Sequence, residues 1–291
     1  MVSLHEIGNR LTAYCTAMTA TLRLVVIATM LIIPGACNDG NASKTTSHPP
    51  MNTLPLDDLN RKKFFFQHQS VGNNIIDGIE MLARNSNIPV SIIGLDADAN
   101  HLSISQNGLA HSRGGKNRFP LTKIDNFVSQ VQRFDPEARP DVAFMKFCYI
   151  DFNADTDVDT LFKHYTTALD QLAKQYPDIR FLHVTTPLTA EPTPWRMLIN
   201  RLLRRFTVAD SYNSQRERFN RLLRQRYPED QIFDLARYES TWPNGKREMF
   251  GENNNTYLAL VPDYTEDGGH LNESGQRYIA AKFVEFLSTQ P

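Results

Sequence analysis

The chain has 291 residues, 41% of them hydrophobic, with 31 Lys plus Arg against 32 Asp plus Glu. That length and apolar share can fill a sizeable core, and the near-zero net charge disfavours a nucleic-acid partner. Of the cysteines, Cys15 and Cys37 fall in or beside an N-terminal leader. Processing there leaves Cys148 alone, which excludes an internal disulfide and a Cys-based zinc site.

Residues 24–33 are apolar apart from one Thr, too short for the ~20 residues that span a bilayer comfortably. Arg23 precedes them, and Gly35-Ala36 then Cys37 follow. Basic flank, apolar core and small residues at the cut are the layout of a secretory signal. A Cys straight after Gly-Ala also resembles a bacterial lipobox, although Pro34 stands where that pattern has an aliphatic residue. Cys37 is thus the lipidation candidate, with plain cleavage as the alternative. Met18 would give a more ordinary signal start than Met1. Residues 1–37 are read as the signal segment. Residues 38–60, with an Asn/Ser/Thr/Gly/Pro-rich first half, are read as a linker. Residues 61–291 are the folded domain, with the first order expected near Asp57.

Lys63-Phe64-Phe65-Phe66-Gln67 reads as a buried strand, and residues 73–82 as a helix. Ser70 lies at the turn between them, near the helix's positive end. Taken alone, capping the helix is the commoner role of such a Ser. Residues 89–94 are a second strand. Residues 96–119 read as a long polar loop in which Gly108, Gly114 and Gly115 could present N–H groups to an anion. Residues 121–134 are a helix. Residues 142–150 are a third strand, in which Lys146 must find a partner, for which Asp151 is a candidate, or reach an edge. A helix over 158–176, a strand over 179–187, a basic amphipathic segment over 193–205, a helix over 211–227 and a strand over 231–235 follow. A Gly/Asn-rich loop over 238–264 precedes Asp267-Gly268-Gly269-His270-Leu271-Asn272 and a last helix over 273–287. Alternating strands and helices predict a parallel sheet covered on both faces.

An Asp three residues before a His can bond the imidazole Nδ1–H and free Nε2 as a base. In a doubly wound sheet, Ser70, Asp267 and His270 all fall at the carboxyl ends of the strands. They are the parts of nucleophilic catalysis: a Ser hydroxyl, a base and an orienting carboxylate. A capped turn with a solvated Asp is the alternative for the closing block.

This order resembles the SGNH/GDSL hydrolase superfamily, with Ser70 in His-Gln-Ser-Val-Gly in place of Gly-Asp-Ser-Leu and a well-matched Asp267-to-His270 block. The resemblance implies a flavodoxin-like three-layer α/β/α sandwich with a five-stranded parallel sheet. It also implies ester hydrolysis through an acyl-Ser intermediate, with carboxylic esters, including acetyl esters of carbohydrates, as substrates and no metal or cofactor. The family's third block carries an oxyanion Asn that this chain lacks. Lys146, Tyr149 and Asn153 are the candidates to replace it, and Gly108, Gly114 and Gly115 compete for the second-block Gly. Polysaccharide O-acetyl transfer and a non-catalytic carbohydrate-binding or envelope role are the alternatives. The leader implies an exported bacterial protein, periplasmic or tethered to a membrane only through a lipid on Cys37.

Overall fold

The computed structural model describes residues 54–191, 212–252 and 254–291. The expected signal, Cys37, most of the linker and the basic segment over 193–205 lie outside them. Leu56–Asn60 forms a 3-10 turn with Leu56 and Leu59 fully buried, so packed structure starts inside the stretch read as linker.

The described elements alternate. Strand β1 is Lys63–His68, helix α1 Ser70–Ser86, β2 Ile92–Gly94 and β3 Gly108–Arg113. Helix α2 is Pro120–Gln132, β4 Val142–Met145, α3 Val158–Gln175 and β5 Arg180–Val184. Helix α4 is Asn213–Arg226, β6 Ile232–Phe233, α5 Leu235–Glu239, and the hairpin β7 Met249–Glu252 with β8 Asn255–Leu258 precedes α6 Glu273–Ser288.

The main sheet has six strands in the order β2-β3-β1-β4-β5-β6, every neighbouring pair parallel. The expectation of five strands is corrected by β3, which runs through the middle of the stretch read as a long polar loop. Its Gly-Leu-Ala-His-Ser-Arg sequence lacks an apolar run because its polar residues are satisfied by neighbours. Ser112 Oγ donates to Gln130 Oε1 on α2 at 2.5 Å, and His111 Nδ1 lies 3.1 Å from His68 Nε2. The third strand is also shorter than expected, ending at Met145 rather than residue 150. The loop over 238–264 carries the β7–β8 hairpin.

Alternation along β1 divides the core. Phe64 and Phe66 pack with Val71, Ile75 and Ile79 of α1 and Ile279 and Phe283 of α6. Phe65 faces the other way, into Ile124 and Phe127 of α2, Leu161 and Tyr165 of α3, and Phe219 of α4. A strand whose side chains are buried on both sides reads as a continuous apolar run, which is why Phe64-Phe65-Phe66 is legible without alternation. The helices show apolar residues at helical spacing: Val71, Ile75, Ile79 and Leu82 on α1. Three of them begin on side-chain caps, Asp157 accepting from Thr160 N at 3.1 Å, Asp234 from Arg237 N at 3.2 Å and Asn272 from Gly275 N at 3.0 Å. The result is a three-layer α/β/α sandwich whose parallel strands all end at one edge.

Candidate active site

At that edge β1 stops at His68, and the single residue Gln69 leads into α1, so Ser70 is the first helical residue. Gln69, not Ser70, is the N-cap, and no side-chain cap bond is made. The capping role is thereby excluded for Ser70, which is half-buried at the positive end of a 17-residue helix. Such a terminus leaves backbone N–H groups without helical partners, aimed outward.

The closing block is a loop sealed by the antiparallel bridge between Thr265 and Leu271. Asp267 folds back over its own turn. Its Oδ1 accepts from Gly269 N at 2.9 Å and His270 N at 2.8 Å. Its Oδ2 lies 2.5 Å from His270 Nδ1. A carboxylate can only accept here, so Nδ1 carries a proton, and in the neutral imidazole the lone pair is on Nε2. The His270 hydrogen bond, helped by the two backbone N–H groups, holds the Asp267 carboxyl well below the usual carboxylate range. The Asp267 side chain is also 56% exposed, so the carboxylate is both solvated and organised around the imidazole.

The block is docked to the start of α1. Asn74 Oδ1 accepts from Leu271 N at 3.1 Å, and Asn74 lies one turn beyond Ser70 on the same helix face. On the other side, Ala190 N donates to Gly268 O at 2.9 Å. A Cβ on Gly269 would stand 2.6 Å from Tyr149 Cζ, so only glycine admits this approach. The ends of β1 and β4 and the last loop therefore meet in one place.

The oxyanion candidates separate cleanly. Gly108 opens β3, paired with Lys63, while His68 pairs with Arg113 at the far end. It thus sits a strand's length, roughly 16 Å, from the carboxyl edge. Gly114 and Gly115 directly follow β3 at that edge, and Gln69 Nε2 donates to both carbonyls, at 3.0 and 3.1 Å. Gly115 has φ +66°, and a Cβ there would meet the Lys123 backbone at 2.5 Å. Of the three candidates for the missing Asn, Tyr149 alone touches the block: its hydroxyl is 3.4 Å from each His270 ring nitrogen. Asn153 is exposed, its Oδ1 accepting from Asp155 N at 2.9 Å in its own turn.

Lys146 is fully buried and donates to Phe147 O at 3.1 Å, and burial pushes its ammonium down. The expected partnership with Asp151 is not made. Asp151 instead takes the buried Lys123 ammonium at 2.6 Å, with Cys148 N at 2.7 Å and Arg118 N at 2.9 Å. Lys123 comes from α2, 28 residues earlier in the chain. Cys148 is buried and free, part of the turn that Asp151 closes.

Gln69, Asn74, Asp151 and Arg216 were not singled out as site residues from the sequence. Gln69 carried a signal by standing next to Ser70, and Asp151 by following the strand that holds Lys146.

The model for the GDSL-like Lipase/Acylhydrolase family matches residues 65–283, from β1 into the last helix. The chain belongs to that family. Its members' ester-hydrolase activity is the coarse function that membership supports. Among solved structures, the chain is similar to one provisionally described as a platelet activating factor from Streptococcus pneumonia, with 13% identity over 81% of this chain and 87% of that one, TM-score 0.46. It is also similar to an acetyl esterase mutant with acetate ion, 15% identical over 77% and 93%, TM-score 0.39. A carbohydrate esterase family 3 protein from Talaromyces cellulolyticus gives 15% over 77% and 93%, TM-score 0.40. No curated protein matches the chain.

Proposed function

We propose that the chain is a serine ester hydrolase in which Ser70 is the nucleophile, His270 the general base and Asp267 the orienting acid. The observation that carries this reading is the Asp267–His270 pair at 2.5 Å, on a loop that Asn74 ties to the first turns of the Ser70 helix. Asp267 fixes the tautomer, so Nε2 is the nitrogen able to take the Ser70 proton. The hydroxyl oxygen then attacks the ester carbonyl, the C=O electron pair moves to oxygen, and His270 returns the proton to the departing alkoxide. Water repeats the sequence on the acyl-Ser70 intermediate. The Ser70 N–H at the helix terminus and the glycine loop after β3 supply backbone stabilisation of the oxyanion.

The substrate class follows the family: carboxylic esters, acetyl esters of sugars among them. Export, and a lipid tether on Cys37 behind a polar linker, belong to the same proposal. They rest on the apolar run over 24–33 and the Gly-Ala-Cys that follows.

The test is Ser70→Ala in purified protein, assayed on a panel of acyl esters and with a fluorophosphonate probe. Hydrolysis and labelling are expected to vanish. An unchanged rate removes the assignment.

A further inference from the structure

Tyr149 lies in Cys148-Tyr149-Ile150-Asp151, the stretch that corresponds to the family's third block, one residue before Ile150 at the Asn place, and several contacts hold it. Arg216, only 1% exposed, donates from Nε to Tyr149 O at 2.9 Å and sets its guanidinium 5.9 Å from the phenol ring centre. Arg216 is itself fixed by Thr189 Oγ1 at 2.9 Å and Asn213 Oδ1 at 2.6 Å. The turn that carries Tyr149 is closed by Asp151, which the buried Lys123 holds in turn. Gly269 lies flat against the ring, and His270 meets it edge-on at 77°. The phenol tip is therefore pinned beside the base.

We propose that Tyr149 is the side-chain donor of the oxyanion site, its O–H turning from His270 Nε2 to the substrate carbonyl oxygen, where negative charge forms. This rests on the acyl-Ser reading above and adds the residue that replaces the missing Asn. The chemistry supplies the timing. In the resting protein Nδ1–H faces Asp267, so the lone pair available to the phenol near His270 is on Nε2. That lone pair serves one partner at a time, so the phenol turns to the carbonyl oxygen of the bound ester and frees Nε2 for the Ser70 proton. As charge gathers on the carbonyl oxygen the O–H···O⁻ bond strengthens without proton transfer. An interaction stronger in the transition state than in the ground state raises kcat more than substrate affinity. Burial and the nearby Asp267 push the phenol up to about 12, so it stays a donor across the working range. Arg216 acts through Tyr149 as a positioning residue.

Tyr149→Phe keeps the ring and removes the hydroxyl. On p-nitrophenyl acetate, kcat is expected to fall roughly 10²–10³-fold, with KM within threefold and the acid limb of the pH profile unmoved. Tyr149→Asn, which puts an amide donor at this position, is expected to recover at least part of the loss. A Tyr149→Phe kcat within threefold of the parent, or above it, overturns the proposal. So does a loss that proves to be only a displaced acid limb, which would mean that Tyr149 tunes His270 instead. Thermal unfolding checks that the variant is folded. If it is not, 3-fluorotyrosine at position 149 retains the shape with a more acidic phenol, and a kcat that does not rise overturns the assignment. Ser70→Ala run in parallel separates the two readings. A dead Ser70 variant beside a normal Tyr149→Phe sinks only this inference, whereas an active Ser70 variant sinks the acyl-Ser scheme itself.

Discussion

His270 and His183 are the same side chain in opposite settings. His270 sits on the closing loop, its side chain 42% exposed, with a carboxylate 2.5 Å from Nδ1. His183 lies inside β5, stacked on Tyr227 with ring centres 3.5 Å apart and bonded through Nδ1 to Tyr165 at 2.8 Å. Burial pushes His183 down to about 3, as it does His68 at the end of β1. Those two are held neutral and serve as polar cross-links in the core. His101 and His164 also pair with carboxylates at the surface, but His270 is the one on the loop docked to the start of the Ser70 helix. On the proposed reading acid–base work falls to it because of that placement, which depends on the element that carries it.

The largest expected effect comes from removing that anion. Asp267→Asn keeps the size of the side chain but lets its amide donate to Nδ1, which forces the proton onto Nε2 and abolishes the base. A kcat loss of roughly 10³–10⁴-fold is expected with KM little changed. Steady-state kinetics on an aryl acetate checks it. A loss under tenfold would mean that water, which reaches both side chains, orients His270 adequately, and the contrast with His183 would then reduce to exposure alone.

The second way to sharpen the contrast is acid stability. The folded pKa of His183 and His68 lies far below the ordinary 6.5, so the unfolded chain binds protons first as pH falls. The stability they permit is complete above about pH 6.5 and drains away towards pH 3, at up to about 1.4 kcal/mol per pH unit for each residue. His183→Asn can still bond Tyr165 but cannot titrate. It should lower stability at pH 7 through the lost stacking on Tyr227, yet flatten the decline between pH 6.5 and 4.5. Urea unfolding at those values measures it. Parallel curves for parent and variant would show that His183 is protonated in the folded state.

What could be read from the sequence follows the same division between local and distant partners. Asp267 and His270 are three residues apart, so their pairing needed no knowledge of the fold. Ser70 was legible because an apolar strand ends just before it and a helical pattern begins just after. Strand β3 was not legible, since buried Ser112 and half-buried His111 bond to Gln130 and His68 from remote elements. Lys146 was assigned the wrong partner for the same reason. Asp151 was nearby in sequence, but Lys123, 28 residues earlier, reaches it first. Tyr149 was one name among equals until Gly269 and His270 folded against it.

The smallest expected effect concerns a buried acid that runs the opposite way. Glu239 on α5 is fully buried, with Oε2 accepting from Leu188 N at 2.6 Å and Oε1 without a hydrogen-bond partner among the described residues. Burial pushes its carboxyl up to about 8, against the pull of the Leu188 bond and the Lys146 and Arg216 cations. Here the folded pKa exceeds the ordinary 4.5, so the folded chain holds the extra proton between those values. Stability from this group therefore falls as pH rises from about 4.5 to 8, whereas the histidines remove it as pH drops below about 6.5. Together they confine the most stable range to a window near pH 6, narrower than either alone would set. Glu239→Gln keeps an acceptor for Leu188 N and cannot ionise. It should leave stability at pH 5 nearly unchanged and raise it modestly at pH 8.5 relative to the parent, read as a shift in urea midpoint. A variant weaker at pH 8.5 would mean that Lys146 and Arg216 keep Glu239 ionised. The buried end of β4 would then be held by charge, as the closing loop is, and not by neutral polar contacts like those of His183.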